Sequence, residues 1–452
     1  MTMLQHGLVP STGGYQIERS LRFNSADSAY LNRTFTTPTS NTTWSFSFWL
    51  KRSTLSTQQY FLNVNSYCGI GTNNDSIVFW SNTGVSVATS TAVFRDVSAW
   101  YHVVVVSNGT TITAYVNNSS VLTYTETITN LNSAVVHNIG RDQTSASAYF
   151  NGYMADVHFI DGSALTPSSF GENDTDTGVW KPKAYTGSYG TNGFKLTFSD
   201  NSGTTATTLG KDTSGNGNNW TPNNFSVTAG AGNDSLVDTP TPYGTDTGAG
   251  GEVRGNYATL NPIYIISGNT QPTFSNGNLD RASVGGEGAN ECTSVSTITL
   301  PTSGKWYCEV TFTTVATIAG NRTQFGVQAQ SQVNKNLGGG SGANKCFSYA
   351  ADGTKVSNNS YVSYGNTYAA NDVIGMAVDL DNGKIWWSKN GTWQASGNPA
   401  SGTNAAYTTL SGADNYFVSV GWFATASLNF GQRPFASSAP SGFKALVTTN
   451  LP

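Results

Sequence analysis

The chain has 452 residues and a formal net charge of −4, and only 11% of its residues are charged, against roughly 25% in an average soluble domain. Its length favours two or three domains. Because the sequence contains no run of basic residues, we expect no nucleic-acid partner. Aromatic residues make up 12% of the chain, which argues against disorder. Short aromatic segments separated by Gly, Asn and Thr turns instead predict an all-β protein.

Neither the cysteines nor the histidines form a recognisable motif. The cysteines are too few for a disulfide framework and show no zinc-like pairing, and the histidines form no HExxH motif. These residues are Cys68, Cys292, Cys308 and Cys346, and His6, His102, His137 and His158. The start, MTMLQHGLVPSTGG, lacks a signal-peptide pattern and no run could span a bilayer. We therefore expect synthesis in a cytoplasm, no membrane insertion and no cofactor.

The first half of the chain predicts an arm followed by a sandwich. Residues 1–20 are polar and contain Gly and Pro, as in an N-terminal arm or attachment segment, and residues 21–172 contain successive strand patterns. WYHVVVV and TITAYVN flank an Asn-Gly turn and predict a hairpin. TTWSFSFWLKR predicts a strand whose apolar face is made by Trp44, Phe46, Phe48 and Leu50. A closing strand is predicted in which Tyr153, Ala155, Val157 and Phe159 alternate with Met154, Asp156, His158 and Ile160.

Residues 173–255 are interpreted as a connector. Gly, Thr, Pro and Asp dominate GAGNDSLVDTPTPYGTDTGAGGE, as is typical of a linker. One strand is predicted between Phe194 and Phe198. It could add an edge strand to the first sandwich or belong to a small module of its own, and we favour the first alternative.

Residues 256–452 predict a second sandwich, centred on the hairpin NDVIGMAVDLDNGKIWWSKNGT. Its outgoing strand alternates apolar and small residues, the Asn-Gly at 382–383 suits a tight turn, and a second Asn-Gly turn follows at 390–391. In the returning strand, Ile385 and Trp387 share one face, and Trp386 lies on the other.

Two ordered sets of motifs resemble known families. The segments FSFWLK, WYHVVV…NGTTITAYVN and IGR…YFNGYMADVHF, within about residues 18–172, resemble the laminin-G/concanavalin-A-like jelly roll. Gly152, Tyr153 and Asp156 hold the places of that family's closing motif. GKWYCEV, FGV, the 371–392 hairpin and NFGQRPF resemble a SPRY-type sandwich. The resemblances imply two antiparallel β-sandwich domains in series, joined by a Gly/Thr/Pro-rich connector. No zinc-binding or coiled-coil region adjoins the second, so the partners of SPRY proteins are not carried over.

No catalytic constellation is recognisable. A glycan-cleaving enzyme of the concanavalin-A-like fold would need carboxylates on one strand face, and an E-x-D-x-x-E run does not occur. Asp379 and Asp381 have a suitable spacing, but Asp381 begins a turn whose backbone its side chain can bind. We therefore expect no catalytic residues and a protein that is not an enzyme.

Metal and ligand sites are also left unassigned. Carboxylates in or beside turns could serve calcium, but we favour turn capping because no EF-hand-like spacing joins them; they are Asp156, Asp161, Asp200 and Asp212. Candidates for stacking on a sugar are Trp49, Trp80, Trp386 and Trp393. Trp386 could pack against a neighbouring domain or bind a ligand, and we favour packing.

Function is suggested by a further resemblance. TGVWKPKAYTG, DTSGNGNNWTPNNF and GFKALVTTNLP are similar to virion proteins of tailed phages, especially marine ones. This implies a structural protein of the virion, assembled in the host cytoplasm, with other virion proteins as partners. We expect a tail fibre or receptor-binding protein that contacts a host-surface glycan or protein. The alternatives are a capsid decoration protein or head fibre, and a glycan depolymerase. A homo-oligomer stays open, because no heptad or triple-helical repeat fixes a subunit number.

Overall fold

A computed structural model describes residues 14–64, 68–81, 86–246, 252–266, 268–284, 293–317, 322–332, 335–338 and 345–452. His6, Cys292 and most of the predicted N-terminal arm lie outside the described residues. The chain divides into two compact units, here called the first unit, which extends to Pro242, and the second unit, from Tyr243 to Pro452.

The described strands of the first unit form two large antiparallel sheets and a separate two-stranded sheet of β13 and β14. The larger sheet has the order β10-β9-β8-β3-β12-β1-β17, with β15 also paired to β12, and the smaller sheet has the order β16-β2-β11-β4-β5-β6-β7. The strands are β1 (Ser20–Phe23), β2 (Tyr30–Thr34), β3 (Thr43–Arg52), β4 (Gln59–Val64), β5 (Cys68–Asn73), β6 (Ser76–Trp80), β7 (Ser86–Val93), β8 (Trp100–Asn108), β9 (Thr111–Val116), β10 (Ser119–Thr125), β11 (Val136–Ile139), β12 (Gly152–Asp161), β13 (Gly171–Asn173), β14 (Trp180–Pro182), β15 (Phe194–Leu196), β16 (Thr221–Asn223) and β17 (Ser235–Leu236). Short 3-10 turns lie at Ser25–Asp27 and Pro167–Ser169.

The core of the first unit lies between these sheets. The predicted apolar face of β3 enters it, as do the inward residues of the β8–β9 hairpin. The opposite face of β3 carries Ser47, Trp49 and Lys51, which lie outside this core. The period-2 pattern was therefore sufficient to assign both faces of β3.

The predicted alternation in β12 is wrong at one point. A β-bulge shifts the pairing with β3 between Ala155 and His158, and Asp156 has a φ of +48°. Because a bulge adds one residue to a strand, the residues on either side change faces. Met154 therefore joins Val157 in the core, whereas Tyr153 and Ala155 do not.

Residues 173–242 add strands to the first unit. β15 pairs with β12, β16 pairs with β2, and β17 pairs with β1, so the segment extends both sheets. Phe194 and Trp220 are buried in the core, with ring centroids 4.9 Å apart. The strand predicted near Phe194 thus lies beside β12.

The second unit is also a pair of antiparallel sheets. Among its described strands, one sheet has the order β18-β19-β30-β21-β26-β27-β28 and the other the order β20-β29-β22-β23-β24-β25. The strands are β18 (Thr273–Ser275), β19 (Asp280–Ala282), β20 (Ser294–Thr299), β21 (Lys305–Val315), β22 (Gln324–Ala329), β23 (Cys346–Ala350), β24 (Thr354–Ser357), β25 (Ser360–Ser363), β26 (Val373–Asp379), β27 (Lys384–Lys389), β28 (Thr392–Trp393), β29 (Tyr416–Gly421) and β30 (Ala424–Asn429). Short 3-10 turns lie at Gln330–Gln332, Gln394–Ser396, Gly412–Asp414 and Thr448–Asn450.

The predicted hairpin of the second unit is present as β26 and β27. Met376 pairs with Trp387, and Gly383 in the turn has a φ of +65°. At the second turn, Asn390 and Gly391 both have positive φ, as a tight hairpin turn requires. The prediction of an all-β chain with antiparallel sandwiches in series is confirmed. No helix in the described part of the chain is long and apolar enough to cross a membrane.

Candidate functional site

Three asparagines lie side by side on the outer face of the smaller sheet. Leucine and isoleucine residues of β2, β11 and β4 point into the core, so the neighbouring residue on each strand faces away from it. These neighbours are Asn32, Asn138 and Asn63, which pair directly in register and are here called the asparagine row. The sheet therefore presents amides in a line across its strands.

Hydrogen bonds hold the two ends of this row. Asn32 Oδ1 accepts from the side-chain amide of Asn223 at 2.7 Å. Asn63 donates to the carbonyl of Cys68 and accepts from the backbone N–H of Gln143. Asn32, Asn223 and Gln143 are each partly exposed, whereas Asn63 and Asn138 are fully buried, so a ligand from solvent meets the Asn32 end of the row.

Tyr30, Arg141 and Tyr149 form a partly exposed cluster beside the asparagine row, here called the Tyr30 cluster. The Arg141 guanidinium carbon lies 3.5 Å from the ring centroid of Tyr30, and the Tyr149 ring lies 6.5 Å from the same ring. Arg141 Nε–H donates to Asn138 Oδ1 at 3.2 Å. Two aromatic faces and a guanidinium thus adjoin the amides, a combination suited to a polar, hydroxyl-rich ligand.

Gly140 places Arg141 over Tyr30. It follows the last residue of β11 and has a φ of +95°, in the left-handed region that favours glycine. A Cβ at this position would lie only 2.7 Å from the ring of Phe23. The chain can therefore turn sharply here, and the loop of residues 141–149 begins above the outer face.

At the other end of the same face, aromatic rings are packed rather than exposed. Gly69 continues the asparagine row, and a Cβ there would lie 2.8 Å from the ring of Tyr60. The Tyr60 and Trp80 ring centroids are 4.4 Å apart, and Trp80 is only 3% exposed. Trp80 is therefore unavailable for stacking on a ligand.

Family models match both units. Residues 23–169 match the concanavalin A-like lectin/glucanases superfamily, and residues 305–433 match the SPRY domain. The chain contains a concanavalin A-like domain and a SPRY domain. The Tyr30 cluster and the asparagine row lie in the concanavalin A-like domain.

Solved structures show similarity at low identity. A putative carbohydrate-binding protein from Bacteroides ovatus shares 15% identity with a TM-score of 0.35, and the match covers 46% of this chain and 59% of that one. A human SPRY domain shares 16% identity with a TM-score of 0.26, covering 34% of this chain and 94% of that one. A heptameric SAP-like pentraxin from Limulus polyphemus shares 17% identity with a TM-score of 0.28, covering 34% and 80%.

The predicted tryptophan candidates are mostly buried. In the concanavalin A-like domain, Trp49 is 4% exposed and stacks on His102. In the SPRY domain, Trp386 is fully buried, donates to the carbonyl of Thr403 at 2.8 Å, and packs edge-on against Phe443. Trp386 is thus covered by segments of its own unit. Trp393 is half-buried, with its ring 6.4 Å from that of Tyr307.

The acidic pair of the SPRY hairpin has structural partners. Asp379 accepts from both the backbone and the side-chain amide of Asn382, so Asp379 binds the turn. Asp381 instead accepts from the backbone N–H of Gly304. The prediction that the Asp381 side chain binds the backbone of the turn is therefore corrected: Asp379 accepts the hydrogen bonds from the turn, and Asp381 binds the backbone before β21.

The four predicted calcium candidates all accept hydrogen bonds. Asp161 accepts from three backbone N–H groups and the Asn132 amide, and Asp212 from three backbone N–H groups and the Ser214 hydroxyl. Asp200 caps Ser202, and Asp156 accepts from the Tyr15 hydroxyl at 2.6 Å. Within the described residues, no group of three or more His, Cys, Asp or Glu could hold a metal ion.

The described histidines are buried. His102 accepts from Trp180 Nε1–H, and burial lowers its pKa to about 3, so the ring is neutral. His158 lies between Asp156, 3.0 Å away, and the Tyr189 hydroxyl, 2.9 Å away. This arrangement resembles a proton relay, but each member is buried beneath the outer covering of the larger sheet. A substrate therefore has no access to it.

The Tyr30 cluster was missed at the sequence level. Tyr30 is separated by more than a hundred positions from Arg141 and Tyr149, and neither strand pattern marks a contact between them. One sequence signal could have pointed to this face: the segments YLNR and HNIGR carry Asn32 and Asn138 within strands. Strands are ordinarily enriched in β-branched and aromatic residues and depleted in asparagine.

Proposed function

We propose that the protein binds a glycan through the outer face of its concanavalin A-like domain without cleaving it. The observation that carries this proposal is the Tyr30 cluster beside the asparagine row. Aromatic faces stack on the apolar face of a sugar ring, and amides hydrogen-bond its hydroxyls. Lectins are among the proteins named in the superfamily whose model matches this domain.

The lack of a carboxylate among the described residues of the asparagine row and the Tyr30 cluster supports binding over hydrolysis. Glycoside cleavage ordinarily requires two carboxyl groups flanking the scissile bond. None of the described residues of the asparagine row or the Tyr30 cluster is acidic. Asp142, the nearest acid along the loop, is 5% exposed and accepts from the Thr144 N–H and the Ser145 hydroxyl. Its carboxylate is engaged within the loop.

We further propose that the protein is a tail fibre or receptor-binding protein of a virion and that it contacts a glycan on the host surface. The support is the resemblance of the Gly-, Thr- and Asn-rich segments to phage virion proteins, together with two recognition-type domains in one chain. Other virion proteins are the proposed partners, and the virion is the proposed location. Immunolabelling of particles tests this: labelling at the tail supports it, and labelling confined to the capsid supports a decoration protein.

Glycan binding is tested with purified polysaccharides of candidate hosts. Wild type is expected to bind without releasing reducing ends. Tyr30→Ala and Tyr149→Ala should each weaken binding by about fivefold to tenfold, the equivalent of about 1 kcal/mol for a lost aromatic contact. Tyr243→Ala is the matched control, because Tyr243 also lies beneath an arginine, Arg254, at 4.5 Å, but in the second unit. Reducing-end release would contradict the proposal and support a depolymerase.

A further inference from the structure

We infer that Arg141 and Asn138 form an anion subsite, so that the glycan bound by this face carries a carboxylate or a sulfate ester. The inference rests on the proposed glycan binding and specifies its chemistry. It depends on three features of the described structure: the unused donors of Arg141, the fixed orientation of its guanidinium, and an adjacent amide donor that lacks an acceptor.

Arg141 has N–H donors that its hydrogen bond to Asn138 does not use. A guanidinium carries five N–H groups, and the bond from Nε to Asn138 uses one of them. Among the described residues, no carboxylate lies within ion-pair distance of Arg141. Two other arginines that lie over tyrosine rings do have a carboxylate partner. Arg254 lies over Tyr243 and pairs with Glu252. Arg322 lies over Tyr361 and pairs with Asp352.

The guanidinium of Arg141 is held in one orientation. Its guanidinium carbon lies over the Tyr30 ring, 3.5 Å from the centroid, and its Nε–H donates to Asn138, so two contacts fix the group. A planar guanidinium matches the two oxygens of a carboxylate or two oxygens of a sulfate. Because the side chain is already ordered, little rotamer entropy is lost when an anion binds.

Asn138 supplies the second donor. The residue is fully buried, its Oδ1 accepts from Arg141, and its Nδ2 has no hydrogen-bond partner. A buried donor without an acceptor costs about 1–3 kcal/mol, so an oxyanion that reaches this amide would satisfy it. The loop above contains Ala146 and Ala148 with φ of +46° and +48°, an uncommon conformation for alanine.

The charged groups in this part of the loop are Arg141 and Asp142, and they differ in exposure. The Asp142 carboxylate is buried and accepts two hydrogen bonds within the loop. The remaining polar groups facing the site are the neutral amides of Asn32 and Asn223 and the hydroxyls of Tyr30 and Tyr149. Arg141 is the partly exposed charge at this site, and its attraction for an anion should weaken with added salt.

The test compares a polyuronate, the same polymer after reduction of its carboxyl groups to neutral sugars, and a sulfated dextran. Wild type should bind the polyuronate or the sulfated polymer at least tenfold more tightly than the reduced polymer. Arg141→Gln should remove this preference in a variant that still folds, as its circular dichroism would show. Arg141→Lys should restore part of it, because lysine keeps the charge but loses the planar pair of donors. Arg254→Gln is the matched control and should leave binding unchanged.

The outcomes separate this inference from the proposed function. Equal binding of the acidic and reduced polymers, weakened by Tyr30→Ala, would overturn the anion subsite and leave glycan binding intact. Unchanged acidic preference in Arg141→Gln would also overturn it. Failure of wild type to bind any of the three polymers or host polysaccharides would overturn both. Tighter binding of the polyuronate than of the sulfated dextran would identify a carboxylate as the bound group, and the reverse order would identify a sulfate ester.

Discussion

The buried ion pair between Lys51 and Asp238 provides a quantitative prediction about the stability of the first unit. Lys51 Nζ lies 2.8 Å from Asp238 Oδ2, with side-chain exposures of 0% and 1%. Trp100 Nε1–H donates to the other carboxylate oxygen at 3.1 Å. Asp238 belongs to the last segment of the unit and Lys51 to β3, so the pair anchors that segment on the outer face of the larger sheet.

Asp238→Ala removes the carboxylate that the buried ammonium faces. Loss of one partner of a buried ion pair costs about 3–5 kcal/mol, and loss of the acceptor of the Trp100 N–H adds about 1 kcal/mol. We therefore expect the free energy of unfolding to fall by about 4–6 kcal/mol, a large part of the roughly 5–15 kcal/mol of an ordinary domain. Urea unfolding, followed by tryptophan fluorescence and circular dichroism, measures this loss.

The pH dependence gives a second signature. Burial lowers the pKa of Lys51 below its ordinary value of 10.5, and Asp238 opposes that shift. In Asp238→Ala the folded-state pKa should fall further, so the unfolded state binds more protons up to pH about 10.5. Stability of the variant should then increase as the pH rises from 7 toward 10, and more steeply than that of wild type.

A double variant serves as the control. Lys51→Met with Asp238→Leu replaces both ions by apolar side chains, which is often neutral for a buried pair. It should recover most of the lost stability. A loss below about 1 kcal/mol in Asp238→Ala, or a double variant as unstable as the single one, would refute the argument that the buried charge causes the effect.

Three further predictions concern single residues. Burial lowers the pKa of His137 to about 4. The free energy of unfolding should therefore fall by about 3 kcal/mol as the pH is lowered from 6.5 to 4, because the unfolded state takes up the proton first. In His137→Gln, the free energy of unfolding should depend less on pH over this range. Trp386→Ala should lower the free energy of unfolding by about 3–5 kcal/mol while leaving glycan affinity unchanged, and a loss of affinity in a folded variant would return Trp386 to the list of ligand residues. Gly140→Ala should cost about 1–2 kcal/mol because its φ is positive and should weaken glycan binding by displacing Arg141, whereas unchanged binding would show that the turn does not position that arginine.

The sequence was sufficient to predict strands and turns, but not which residues are covered by other parts of the chain. Alternation in β3 and the Asn-Gly turns of the second unit are local signals, and the structure agrees with both. The bulge at Asp156 reverses the faces of β12 through a single inserted residue, which composition and periodicity do not mark. Trp80 was a candidate on its sequence pattern, and Trp386 because its neighbours in the strand fill the core face. Their burial depends on chain segments that cross the outer faces of the sheets, and a strand pattern carries no information about such covering segments.

The pairing of the first strand with the last has a consequence for synthesis. β1 lies between β12 and β17, and Arg22 forms a buried ion pair with Asp234, 212 positions later. The edge of β1 that pairs with β17 therefore stays open while the ribosome adds more than two hundred residues, whereas its other edge can pair as soon as β12 is made. Because long-range pairing is slow and open strand edges associate with other chains, nascent chains that stop near residue 172 should aggregate, and chains released after Pro242 should not. That result would make the smallest segment able to fold on its own longer than the 23–169 segment matched by the family model.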